Sequence, residues 1–411
     1  MGFGQRHDFE VPLAHDEVAW IKDRVRGYRW FEEPHEAGWQ FGANQDYMRR
    51  LQQFWLDHYS WRFAAAKLNM FPHFKVDVGE DLLIHCIHRR AADPNAPALL
   101  LCHGWPGSVA EFTSVIERLA EPSDPNALAF HVVVPSLPGY GWSDKPRRPM
   151  GPRAIAVMYE RLMQALGYSR YIVQGGDWGS VVAGWLGLEG DGCQALHLNG
   201  YGLRPEDAAP TSEAEHAWLH QQKQLRRAEM GYYHIQATRP QSLSFAMMDS
   251  PLGVAAWFAE KFAGWGDQDL SEAVTSAAHP KSETGTSEAQ ADALKPLATD
   301  PPFSMEWLLT NTMIYLTTRS FNTATWLYRA AADEREHIMP ARARVNKPTA
   351  IAAFPKDLLT FAPRSMLERG YNVQRWTDMP RGGHFPSIEV PELFIEDVRA
   401  FAAALRQNAV V

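Results

Sequence analysis

Eight residues constrain this chain more than any others: Val173-Gln174-Gly175-Gly176-Asp177-Trp178-Gly179-Ser180. A short apolar strand, Tyr171 to Val173, runs into glycines two positions either side of Asp177, and a helix is predicted to begin near Ser180. A strand-to-helix elbow of this kind lifts one side chain clear of a sheet, and its neighbours must be small because strand and helix pass close together. The lifted residue here is an aspartate. A serine attacking an alkyl carbon would leave an ether, which water does not readily cleave. A carboxylate leaves an ester, which a base-activated water can hydrolyse. The elbow therefore suits displacement at saturated carbon, with an epoxide or alkyl halide as electrophile. The competing reading is a plain turn in which Asp177 only caps the helix.

The surrounding pattern supports an α/β chain. Ala98 to Cys102 is a buried strand run followed by His103-Gly104-Trp105-Pro106-Gly107, and Ser108 with Glu111 reads as a capping box opening a helix from Val109 to Leu119. His131 to Val134 is the next strand, Arg153 to Leu166 a helix, and Ala195 to Leu198 a strand beyond the elbow. Such alternation predicts a mostly parallel sheet with helices on both faces and a site at the strand C-terminal ends. Residues 1–92 lack that alternation. They carry helical stretches at Glu17 to Arg26 and Gln45 to His58, then a hairpin around Gly79-Glu80, and are rich in tryptophan (20, 30, 39, 55 and 61). This reads as a meander packed onto another domain. Residues 204–340 turn mainly helical and aromatic, then strands resume at Thr349 to Ala353 and Asn372 to Thr377 before a closing helix, Pro391 to Leu405. The division is thus a meander at 1–92, a core at 93–203 and 341–411, and an inserted helical cap at 204–340, with a polar excursion at 271–303.

Composition narrows the partners. A formal charge of −8 with no long basic run argues against nucleic acid or an acidic membrane surface. The three cysteines, 86, 102 and 193, are scattered and odd in number, which favours a reducing cytoplasm. His85, Cys86 and His88 crowd one strand and read as packing, so no metal is expected. No signal region and no run of ~18 apolar residues occurs, so the reading is a soluble protein without a membrane anchor.

A carboxylate nucleophile needs a base for its second step. Arg381-Gly382-Gly383-His384-Phe385 presents a histidine on a glycine-rich loop after the last strand, in the chain order nucleophile, acid, histidine. Asp357, in Phe354-Pro355-Lys356-Asp357, follows the preceding strand and would orient the imidazole; its rival role is a cap before Leu358. Hydrolysis of the ester passes through an oxyanion, for which the backbone N–H groups of Trp178 and Trp105 are the candidate donors, since Pro106 has none.

Together these motifs make the chain resemble the microsomal-type epoxide hydrolases over nearly its whole length. The resemblance rests on His-Gly-Trp-Pro-Gly-Ser at 103–108, Gly-Gly-Asp-Trp-Gly-Ser at 175–180, Arg-Gly-Gly-His-Phe at 381–385, and the meander segments Tyr59-Ser60-Trp61-Arg62 and Leu68-Asn69-Met70-Phe71-Pro72. Two cap segments, Gly231 to Gln236 and Trp326-Leu327-Tyr328, resemble those carrying the family's acid tyrosines. The resemblance implies an α/β-hydrolase core with an inserted cap and a cofactor-free enzyme. Asp177 would attack the epoxide, Tyr232 and Tyr328 would supply a proton, and His384 with Asp357 would activate water. Tyr233, Trp326 and Phe385 are expected in the substrate pocket. The residues alone leave Tyr232 and Tyr233 even as acids; the motif favours Tyr232, and Tyr315 is a further confounder. The expected partners are an apolar or aromatic small-molecule epoxide and water, with a homodimer an open option. The chain departs from the family at Ser60, where an acidic residue is expected, and carries Asp357 where some relatives have glutamate. Haloalkane dehalogenase is the alternative chemistry, and a non-catalytic ligand-binding protein on the same fold the alternative class. A serine esterase is disfavoured by Val182, where an elbow at Ser180 needs a small residue.

Overall fold

The computed structural model describes residues 2–205, 209–267 and 302–407. The polar excursion at 271–303 therefore lies outside the described residues except for its last two positions.

Among the described residues one nine-stranded sheet runs β1-β2-β3-β5-β4-β6-β7-β10-β11. The first three strands, β1 (Arg6–Phe9), β2 (His73–Asp77) and β3 (Leu83–Arg89), are antiparallel. The rest, β4 (Ala98–Cys102), β5 (His131–Pro135), β6 (Tyr171–Gly175), β7 (Cys193–Leu198), β10 (Val345–Ala353) and β11 (Tyr371–Asp378), run parallel. β4, β5 and β6 are buried at every position, as expected of strands covered on both faces.

The joint between the two parts differs from the sequence reading. β3 pairs antiparallel with β5, Cys86 opposite Pro135, so the amino-terminal segment is woven into the core sheet rather than only packed against it. Alternation in the hairpin shows that a sheet is present, but nothing local encodes which strand its outer edge meets. His85 marks the join: its ring bonds Ser136 Oγ and His73 Nδ1, each at 2.9 Å. The tryptophans divide as well. Trp55 and Trp61 are buried, Trp30 and Trp39 partly so, and Trp20 is 39% exposed. The meander's helices lean on the cap, with Lys67 Nζ 2.7 Å from Glu306 and Tyr59 Oη 3.3 Å from Thr310.

The cap leaves and rejoins the core through a minimal two-stranded ladder, β8 (Arg204–Pro205) beside β9 (Ile338–Met339). Its helices include Glu213–Glu229, Gly231–Thr238, Pro251–Trp265, Met305–Thr317 and Phe321–Glu334. No helix among the described residues is long and apolar enough to cross a membrane, and Cys86, Cys102 and Cys193 are free and buried.

The capping box at 108–111 is a correction. Ser108 does cap, accepting from Ala110 N, but over a 3-10 turn, Val109–Phe112, followed by a short separate helix, Ile116–Ala120. The Glu111 side chain turns inward against Gly107 instead of back to Ser108.

Candidate active site

The elbow is built by exclusion. Asp177 has φ 44°, in the left-handed region, at a cost of ~1–2 kcal/mol for a residue with a Cβ. Two of its neighbours can only be glycine. A Cβ on Gly175 would strike the Gly179 carbonyl, and one on Gly179 would strike the Cys102 carbonyl on β4. The helix then starts at Asp177 itself, three residues earlier than the sequence suggested, because the turn is completed within the glycines.

The Asp177 carboxylate sits where β4 hands over to its loop. Trp105 N–H donates to Asp177 Oδ1 at 2.8 Å, and a Cβ on Gly104 would overlap that carboxylate. Trp178 follows in the first helical turn, its indole stacked over Tyr233 and edge-on to Tyr328 with ring centres 4.9 Å apart. Ser180, the discarded esterase nucleophile, donates to the Asp177 carbonyl and accepts from Gly202 N, which leaves it structural.

His384 stands between two carboxylates. Its Nδ1 is 2.8 Å from Asp357 Oδ1, and its Nε2 is 3.4 Å from Asp177 Oδ2. Burial favours neutral imidazole, but the two carboxylates outweigh it and raise its pKa well above the usual value. Asp357 also accepts from Leu359 N at 3.1 Å, so it holds the histidine and shapes its own turn at once. Glu389 fixes the histidine loop, accepting from Gly383 N and Phe385 N, while the backbone of His384 donates to Trp265 at the end of a cap helix.

Across from the carboxylate are the cap tyrosines. Tyr232 stacks on Trp105 with ring centres 5.1 Å apart and planes within 8°, and Tyr328 meets the same indole edge-on at 5.9 Å. Burial raises the pKa of both well above 10, so each keeps its proton. The Tyr328 hydroxyl is buried beside Tyr232 and Trp178 without a well-formed hydrogen bond, and Tyr328 lines a cavity. That cavity, about 260 Å³, is also lined by Asp177, Trp178, Tyr232, Tyr233 and His384.

The amino-terminal part, residues 6–112, matches the family described as "Epoxide hydrolase N terminus", and residues 97–231 match "alpha/beta hydrolase fold". The chain is 33% identical to juvenile hormone epoxide hydrolase 2 of Ctenocephalides felis, across 95% of this chain and 84% of that one. It belongs to the epoxide hydrolase family. Solved structures agree: the Bombyx mori juvenile hormone epoxide hydrolase superposes with a TM-score of 0.83 at 28% identity, covering 98% of this chain and 96% of that one. The Aspergillus niger epoxide hydrolase gives 0.80 at 29%, covering 97% and 96%. The enzyme is thus an epoxide hydrolase on an α/β-hydrolase core, and the dehalogenase and non-catalytic readings are set aside.

Two expected pocket residues lie elsewhere. Trp326 does not line the cavity: it stands two residues before Tyr328 on one helix, and at 100° per residue that turns it well away. Phe385 packs behind the histidine against Phe262, Trp265 and Phe303 and is not among the residues lining the cavity. Tyr315 is also outside, donating to the Gly107 carbonyl at 2.6 Å. Both Tyr232 and Tyr233 reach the cavity, one over Trp105 and the other over Trp178.

Sequence reasoning misassigned one buried acid and missed another. Glu111 is buried, and desolvation lifts its pKa to about 8 against the pull of His384. Glu389 was legible only as a carboxylate five residues after the histidine, a spacing that suits bonds to the loop's own amides. Among the described residues no group of three or more His, Cys, Asp or Glu side chains could hold a metal ion.

Proposed function

We propose that the enzyme opens its epoxide by attack of Asp177, passing through a covalent ester, and that its substrates are apolar or aromatic small-molecule epoxides. The observation that carries this reading is the Asp177 carboxylate, 2.8 Å from a backbone donor and 3.4 Å from an imidazole that Asp357 orients. One carboxylate oxygen attacks a ring carbon while Tyr232 and Tyr328 hydrogen-bond the ring oxygen, and one phenol proton passes to it as the carbon–oxygen bond breaks. General acid help of this kind is worth ~10²–10⁴ in rate. Because burial keeps both phenols protonated, they donate without neutralising the nucleophile.

The second step follows from the first by charge. Esterification removes the negative charge of Asp177, one of the two that hold a proton on His384. The imidazole pKa then falls, its proton returns to the phenolate left by ring opening, and neutral His384 takes a proton from water as that water attacks the ester carbonyl. The N–H groups of Trp105 and Trp178 receive the oxyanion. The imidazolium gives that proton to the departing alkoxide, so a vicinal diol leaves, and the Asp177 carboxyl returns its proton to His384 and becomes a carboxylate again. The aromatic walls, Trp178, Tyr233, Tyr201 and Trp218 among them, favour an apolar substrate flank.

A single turnover in ¹⁸O-water tests the scheme. Label is expected in the Asp177 carboxylate, read by mass spectrometry of its peptide. Label appearing directly in the first-turnover diol would mean that water attacks the epoxide itself.

A further inference from the structure

One contact of Tyr232 has no part in that scheme. Helix Pro251–Trp265 carries Lys261, whose side chain is only 5% exposed. Its ammonium lies 4.6 Å from the centre of the Tyr232 ring, with Trp257 and Trp265 each at 5.8 Å. Its counter-ion, Glu260, is 2.5 Å away and more open to solvent, at 27%. Burying an ammonium is costly even when paired. An apolar side chain would fill the space among three rings at less cost, so packing alone does not account for a cation here.

The reaction supplies a reason. When Tyr232 gives its proton to the epoxide oxygen, the Asp177 carboxylate has just formed its ester bond and the ring carbon–oxygen bond has broken. The negative charge thereby moves from the carboxylate onto the phenol, where it spreads into the ring. A cation over a ring face is attracted more strongly as that ring gains electron density. Among the groups around Tyr232, Asp177 from the elbow, Tyr233 on its own helix and Glu260 beside the lysine all disfavour negative charge there, while Tyr328 across the site favours it.

We propose that Lys261 is a positioning residue for ring opening, stabilising the charge that develops on Tyr232 as it protonates the departing alkoxide, with Glu260 setting how much of that help is felt. The proposal rests on the reading of Tyr232 as an acid. Its effect belongs to the ester-forming step and not to ester hydrolysis, in which His384 does the proton transfer.

Single-turnover rapid-quench kinetics on the full chain separate the two steps, using styrene oxide and trifluoromethyl-substituted epoxides whose leaving alkoxides differ in basicity. Lys261→Met is expected to slow ester formation about tenfold while ester hydrolysis stays within about twofold. The deficit should grow with alkoxide basicity, and Lys261→Arg should restore most of the rate. Glu260→Gln, at a partly exposed position that tolerates change, should match or exceed the parent. The proposal is overturned if Lys261→Met opens rings at the parent rate, slows both steps alike, or shows a deficit indifferent to alkoxide basicity. It is also overturned if Glu260→Gln slows ring opening, a result that does not depend on whether the methionine variant folds. Tyr232→Phe is the control. Parent-rate ring opening in that variant removes the acid assignment itself, whereas a slow Tyr232→Phe beside an unaffected Lys261→Met removes only the lysine.

Discussion

The core and the cap face each other across the cavity, and they are built on opposite electrostatic plans. The core half is charged: Asp177 and Asp357 flank His384, whose pKa they raise. The cap presents neutral acids: Tyr232 and Tyr328 are phenols that burial keeps protonated. On the mechanism proposed above, the difference follows from what each half must do. A nucleophile and its base have to gain and lose charge, so they sit on loops whose backbone donors can receive it. An acid that must not quench the nucleophile has to be uncharged until the moment of transfer. The halves differ in construction too. Core groups are set by glycines that a Cβ would displace, cap groups by stacking on Trp105 and Trp178.

If that division of labour holds, substitutions in each half damage different steps. His384→Gln should arrest the cycle after ring opening, lowering turnover by ~10⁴, and the esterified Asp177 should accumulate and be visible by intact mass. Its failure to accumulate would mean that the histidine also serves the first step. Tyr232→Phe combined with Tyr328→Phe should slow ester formation by ~10²–10⁴, with hydrolysis of any ester formed unchanged in quenched-flow. Equal loss in both steps would erase the contrast.

The construction can be probed without substrate. Gly179→Ala drives a methyl into the Cys102 carbonyl and should cost about 3 kcal/mol in denaturant unfolding, whereas Tyr328→Phe should cost under about 1 kcal/mol, because its hydroxyl has no well-formed hydrogen bond to lose. A pH-dependent effect concerns Glu111. Its folded pKa of about 8 lies above the ordinary 4.5, so folding takes up a proton between those values and stability falls as pH rises through that window. Glu111→Gln should remove that slope, gaining about 3 kcal/mol at pH 8 over its effect at pH 5. Parallel melting curves of parent and variant across that range would refute the assignment of a buried neutral acid.

The sequence was most informative where geometry is local. The Gly-Gly-Asp-Trp-Gly run encodes its own elbow, since only small residues clear the crossing of β6, β4 and the helix, and strand runs such as Ala98–Cys102 mark themselves by unbroken burial. It misjudged positions whose meaning depends on distant partners. Trp326 and Tyr328 share a motif but face different surroundings, and Ser108-Glu111 has a capping pattern whose carboxylate the fold turns inward. Lys261 looks like any helical lysine until the rings close round it.

By itself, then, the sequence determined the alternation of strands and helices in the core, the aspartate at the elbow and the histidine that follows late in the chain, because each is dictated within a few residues by backbone sterics and hydrophobic period. The tertiary structure alone decided that the amino-terminal hairpin extends the core sheet through β3 and β5, and that Asp177, His384, Tyr232 and Tyr328 line one cavity. Those outcomes join residues up to about 200 positions apart in the chain. Contacts at that separation are chosen by the free energy of the whole packed core and leave no local trace in the residues that make them.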